Sequence, residues 1–137
     1  MPEPTEDLER YRLLFEHAPL GIFHFDPKGC LQACNNAFVR LIGSSQAALQ
    51  GFNMLERVPH PEVLRVVREA LSGHAGFYEG PYRSVTADQF SVIRLRTYPL
   101  RGGQGETLGG LGLVDEPGLR RVGRENALAA LGLSPDL

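Results

Sequence analysis

The chain has 137 residues, of which 42% are hydrophobic and 22% charged, and a formal net charge of −2. That length buries one hydrophobic core and is too short for two ordinary domains, and arginines scattered among acidic residues set up no field for nucleic acid. No apolar run reaches the roughly 20 residues of a membrane helix and the acidic first residues are unlike a signal peptide, so a cytoplasmic segment without membrane contact is expected.

In chain order, Leu8, Tyr11 and Phe15 form an apolar stripe among charges, which predicts an amphipathic helix near the N-terminus. Leu20 to Phe25 is a short aromatic-rich run and reads as a strand. On it, His24 shares a face with Leu20 and Ile22, and this face is expected to point into the core. Asp26-Pro27-Lys28-Gly29 supplies a turn, with Pro27 presetting φ and Gly29 free to take φ > 0. Leu31 to Cys34 returns as a second strand. If Cys30 and Cys34 both lie on it, they sit about 13 Å apart at roughly 3.3 Å per residue. A disulfide spans at most about 7 Å, so both read as reduced thiols.

Asn35 suits an N-cap for the helical run Ala37 to Ile42, and Gly43 suits its end. Ser44 or Ser45 caps Gln46 to Gln50 in the same way, with Gly51 as the stop. Further on, Pro61 fits the first position of a long helix. Val63, Val66, Val67, Ala70 and Leu71 then fall on one face before Gly73. Three strands follow: Gly76 to Val85, Phe90 to Pro99 and Thr107 to Asp115. Pro81 assigns the first of them an edge position or a bulge. In the second, Ile93, Leu95 and Thr97 alternate with Arg94 and Arg96, so the apolar face is expected to meet the helices. Glycines at 110 and 112 on the last strand leave space or permit close approach. After it, Leu119, Val122, Asn126, Ala129 and Leu133 keep a 3-4 spacing, as in a short coiled coil.

Motifs for catalysis are missing: there is no Gly-x-Ser-x-Gly elbow, Walker loop, His-Glu-x-x-His helix or Cys-x-x-Cys pair, and no metal site is read from the sequence. What the sequence does carry is an order of elements. The Asp-x-x-Gly turn (Asp26 to Gly29), the Asn-x-Ala-Phe helix start (Asn35 to Phe38), the Gly-terminated helices (Leu41 to Gly43, Leu49 to Gly51) and the His60-Pro61-Glu62 helix entry resemble the PAS family of sensory domains. The resemblance covers Tyr11 to Asp115.

It implies an α+β fold, with a five-stranded antiparallel sheet, helices packed on one face, and flanking helices at both ends. The implied division is a flanking helix over 1–18, the PAS domain over 19–115 and a linker or output helix over 116–137. The implied role is sensory or regulatory and non-enzymatic. Such a domain binds a small ligand or mediates homodimerisation, and relays the signal through its terminal helices to an output module of the histidine kinase or cyclic-dinucleotide regulator type. A pocket of this family would be walled by Ile22 and His24 on the first strand and by Phe38, Leu41, Leu55 and Val67 on the helical side. Tyr78, Ile93, Leu95 and Thr97 would complete it from the sheet. Asp115 matches the Asp of the family's Asp-Ile-Thr junction, although Glu116-Pro117 follows it here.

Two cofactors are weighed on the same resemblance. His60-Pro61-Glu62-Val63-Leu64-Arg65 is similar to the string through which some haem-binding members ligate iron, which makes His60 a candidate axial ligand. An imidazole at the positive end of a helix dipole favours its neutral form, which suits a ligand and a bystander alike. The flavin-binding branch places a reactive Cys in an Asn-Cys-Arg-Phe-Leu-Gln type helix. Nothing from Ser44 to Glu56 matches it and Cys34 lies on a strand, so flavin is not expected.

Overall fold

The computed structural model describes residues 4–84 and 90–117. Helix α1 (Pro4–His17) leads into strands β1 (Gly21–Phe25) and β2 (Leu31–Cys34). The turn between the strands forms because Asp26 folds its carboxylate back over the backbone. Its Oδ1 accepts the N–H groups of Lys28 and Cys30, each at 2.9 Å, while Gly29 takes φ +88°. Strand β2 begins one residue after Cys30, which instead forms an isolated bridge with Asn53. The two cysteines therefore do not share a strand face. Cys34 is buried, Cys30 is half-buried, and both are free thiols.

Three short helices follow, α2 (Asn36–Ile42), α3 (Gln46–Leu49) and α4 (Met54–Arg57), and then the longer α5 (Pro61–Leu71). Each begins on a side chain that accepts a first-turn N–H: Asn35 from Phe38, Ser45 from Ala48, Asn53 from Glu56 and His60 from Val63. Helix α4 has no counterpart in the sequence reading, since a single turn shows no periodicity. Gly43, at φ +74°, ends α2 in the left-handed region.

Strands β3 (Gly76–Arg83), β4 (Phe90–Arg101) and β5 (Thr107–Asp115) complete a five-stranded antiparallel sheet in the order β2-β1-β5-β4-β3. Strand β3 lies on an edge, where Pro81 costs no ladder bond. The first and last strands are neighbours, with Gly21 opposite Val114, so the chain enters and leaves the sheet at one place.

The helices cover one face of the sheet, where Val66, Val67 and Ala70 of α5 are fully buried against it. A fully buried valine contributes about 2 kcal/mol. Thr97 of β4 points into this layer as expected, and its hydroxyl donates to the carbonyl of Val66 at 2.7 Å.

Strand β1 corrects the sequence reading. Phe23 and Phe25 point into the core, so Ile22 and His24, expected inside, lie half-exposed on the opposite face. The reason is shape. A Cβ on Gly112 would stand 2.1 Å from the Phe23 ring, and one on Gly110 would stand 2.2 Å from the Phe25 ring. The β5 glycines make room for both phenyl groups, and a strand with period 2 must then turn Ile22 and His24 outward. The loop Thr86 to Gln89 and the stripe from Leu119 to Leu133 lie outside the described residues. No helix among the described residues is long and apolar enough to cross a membrane.

Candidate functional site

Between the sheet and α2 to α5 lies a cavity of about 50 Å³. The sheet contributes Phe23 and Leu31 on one side and Ile93, Leu95 and Val114 on the other. Phe38 and Ile42 of α2, Leu49 of α3, Met54 of α4 and Val63 of α5 form the helical wall, with Phe52 and Val58 from the connections. Polar atoms come from Tyr82 and Ser84 at the end of β3, and the lining carries no ionised side chain. Burial pushes the Tyr82 phenol above its ordinary range, which keeps it neutral.

Of the residues expected to wall a pocket, Phe38, Ile93 and Leu95 line this cavity. The others stand elsewhere. Val67 and Thr97 are fully buried, one turn deeper between α5 and the sheet. Leu55 packs over the Gly29 turn, where a Cβ would meet its Cγ at 2.6 Å. Leu41 borders a separate cleft, and Ile22 and His24 are on the outer face of the sheet. The other eleven lining residues, Met54, Val63 and Tyr82 among them, are not among those expected. Val63 was legible from the helix face, whereas nothing local marks Tyr82 as the ring that turns inward.

Tyr78 and His60 form a cluster beside the cavity. The Val63 N–H donates to His60 Nδ1 at 3.3 Å, which assigns the ring proton to Nε2. Nε2 lies 3.0 Å from the Pro81 carbonyl and 3.1 Å from the Tyr78 hydroxyl, and that hydroxyl donates to the same carbonyl at 2.6 Å. The imidazole meets Tyr78 edge-on, with ring centroids 4.9 Å apart, and packs beside Tyr82 at 6.0 Å. Burial, and secondarily the charge of Glu62, raises the Tyr78 pKa.

These residues do not fit haem. Both His60 nitrogens are engaged, one in capping α5 and the other in tying it to β3, and the ring lies outside the cavity lining. The cavity is also far below the roughly 300–1,000 Å³ usual for sites that enclose a drug-sized molecule. Among the described residues, no group of three or more His, Cys, Asp or Glu side chains could hold a metal ion.

The predicted junction residue, Asp115, ends β5. Its carboxylate receives Arg94 Nε at 3.1 Å and Arg94 Nη2 at 3.3 Å across the β4–β5 pair, and these bonds raise the guanidinium pKa. Next to it a cleft of about 370 Å³ opens between the start of β1, α2 and the end of β5, bordered by Pro19, Arg40, Leu41, Val114 and Glu116. Burial raises the Glu116 pKa. Val114 borders both the inner cavity and this cleft.

A family model described as the PAS fold matches residues 9–115. Among solved structures, an RNA-binding light-oxygen-voltage receptor is similar at 20% identity and a TM-score of 0.70; the alignment covers 85% of this chain and only 35% of that one. The PAS domain of BvgS from Bordetella pertussis shares 22% identity over 84% of this chain and 89% of its own, with a TM-score of 0.60. A domain of a sensory box sensor histidine kinase/response regulator from Geobacter sulfurreducens shares 20% identity over 83% of this chain and 97% of its own, at 0.62. At these identities the likeness is one of fold. No curated protein has a matching sequence.

Proposed function

Because this chain belongs to the PAS family, we propose that it is a sensory domain that reads a small molecule in its core cavity. It passes the reading through its terminal segments to an output module of the histidine kinase or cyclic-dinucleotide regulator type. In this reading 19–115 is the sensing unit, and 1–18 and 116–137 are the connectors.

The observation that carries the reading is the double position of Val114. On one side it lines the core cavity, and on the other it borders the cleft where the chain enters and leaves the sheet. A ligand that fits one arrangement of β5 better than another shifts the population of arrangements by its differential affinity. Any such shift displaces Val114 and its neighbours Asp115 and Gly21, where the connectors attach.

A second reading, a ligand-free dimerisation module, is favoured by α1. Leu8, Tyr11 and Leu14 are each at least 65% exposed there, more apolar surface than a solvated helix needs.

Native purification followed by native mass spectrometry separates the two. A small molecule retained by the folded chain and lost on denaturation supports sensing. A dimer without bound mass, in which no added small molecule alters amide exchange at Gly21 and Val114, overturns sensing and leaves dimerisation.

A further inference from the structure

We propose that the cleft beside Asp115 is a binding site separate from the core cavity, and that it takes a small zwitterionic molecule with an apolar body. The anionic group of that molecule lies on Arg40 and its cationic group on Glu116. The inference does not depend on the core cavity holding a ligand.

The charges of the cleft decide the class. Three ionisable side chains border it: Arg40, Asp115 and Glu116. Asp115 is already engaged, since Arg94 donates two hydrogen bonds to its carboxylate. The side chains of Arg40 and Glu116 form no hydrogen bond or ion pair among the described residues. Arg40 is exposed on the last turn of α2, whereas Glu116 is half-buried just past the end of β5.

A carboxylate that loses hydration without gaining a partner is disfavoured in its ionised form, and burial accordingly raises the Glu116 pKa. A cationic group placed beside it would offset that loss. A guest carrying only a positive charge would also meet Arg40, and one carrying only a negative charge would also meet Glu116. A guest with one charge of each sign meets two attractions.

Size and wall agree with this class. The cleft holds about 370 Å³, within the roughly 300–1,000 Å³ usual for small-molecule sites, against about 50 Å³ in the core. Pro19, Ala37 and Leu41 supply an apolar wall against which an aliphatic group can pack. Arg40 belongs to α2 and Glu116 follows β5, so an occupant that touches both ties a helix to the strand paired with β1. The cleft is open to water, and its two charge contacts therefore have the strength of surface ion pairs.

The test uses the full chain and three probes that share one aliphatic body: leucine, 4-methylpentanoate, which lacks the ammonium, and 3-methylbutylamine, which lacks the carboxylate. Amide NMR signals of Ala37, Leu41 and Glu116 report on the cleft, and methyl signals of Ile93 and Leu95 report on the core. Leucine is expected to move the cleft amides saturably and to leave the core methyls in place. Each single-charge analogue is expected to bind about fivefold more weakly, the worth of one surface ion pair. Arg40→Gln and Glu116→Gln are each expected to weaken leucine by the same factor.

Either analogue binding as tightly as leucine would overturn the zwitterionic class. Leucine binding unchanged in one of the variants would overturn the contact assigned to that residue. If leucine up to its solubility moves no cleft amide, or moves only the core methyls, the cleft is not a site, and the sensory reading of the core stands or falls on its own test.

Discussion

At Asn35 a single amide group joins three parts of the chain. Its Oδ1 accepts the N–H groups of Phe38 at 3.0 Å and Ile22 at 2.9 Å, and its Nδ2 donates to the carbonyls of Phe15 at 2.9 Å and Leu20 at 3.1 Å. The residue is fully buried, so truncation would leave four backbone groups short of partners in a site that water reaches poorly. Asn35→Ala is expected to cost at least about 3 kcal/mol in urea unfolding, beyond the roughly 1 kcal/mol of an ordinary cap. Cys34 makes a second prediction at this scale. Its burial, aided by the charge of Glu16, pushes the thiol up to about 11 from an ordinary 9.0. A raised folded-state pKa means that the native chain holds the proton more tightly than the unfolded one. The resulting stabilisation is complete below pH 9 and is lost as pH rises through 9 towards 11. Alkaline unfolding curves are expected to show that fall in the wild type and a smaller one in Cys34→Ala. Alkylation at pH 8 is expected to modify Cys30 well before Cys34, because the thiolate is the reactive form.

Among the elements, β1 and β5 decide which residues face the core. The glycines at 110 and 112 are not turn residues; they are the floor on which the Phe25 and Phe23 rings lie. Gly112→Ala is expected to destabilise the fold by about 2–3 kcal/mol through overpacking. In a double-mutant cycle, Phe23→Leu should recover a good part of that loss, because the smaller side chain vacates the space the new methyl needs. Additive effects of the two substitutions would show that the ring does not set the glycine requirement. The exposed ion pairs along α5, Arg65 with Glu62 and with Glu69, contribute little by comparison, since solvent screens them.

For the molecule as a whole, the core cavity and the shared entry and exit of the sheet are consequences of topology. Helix α1 is held at its C-terminal end by Asn35, while Leu8, Tyr11 and Leu14 remain open to solvent. In the dimer of the second reading, these side chains are the ones to be covered. On that reading, Leu8→Glu combined with Leu14→Glu is expected to shift the dimer to monomer in light scattering, with a melting temperature within a few degrees of the wild type at high dilution. A double variant that stays dimeric would move the interface away from α1.

Much of this was legible in the residues themselves. Capping side chains and stop glycines act on backbone groups a few positions away, so Asn35, Ser45, Gly43 and the Asp26 turn can be read from short strings, and from their order the family. The face of α5 was also readable, because four buried positions repeat at the helical period. Which face of β1 turns inward was not. Leu20, Ile22 and His24 alternate as regularly as Phe23 and Phe25, and the choice depends on glycines about ninety positions later that pair with β1 only in the folded sheet. The site followed the same division: Phe38, Ile93 and Leu95 were visible as apolar positions, whereas Tyr82 and Val114 acquired their roles from tertiary packing. Local hydrogen bonding belongs to the sequence. Which side chains share a cavity is decided only when distant strands compete for the same volume.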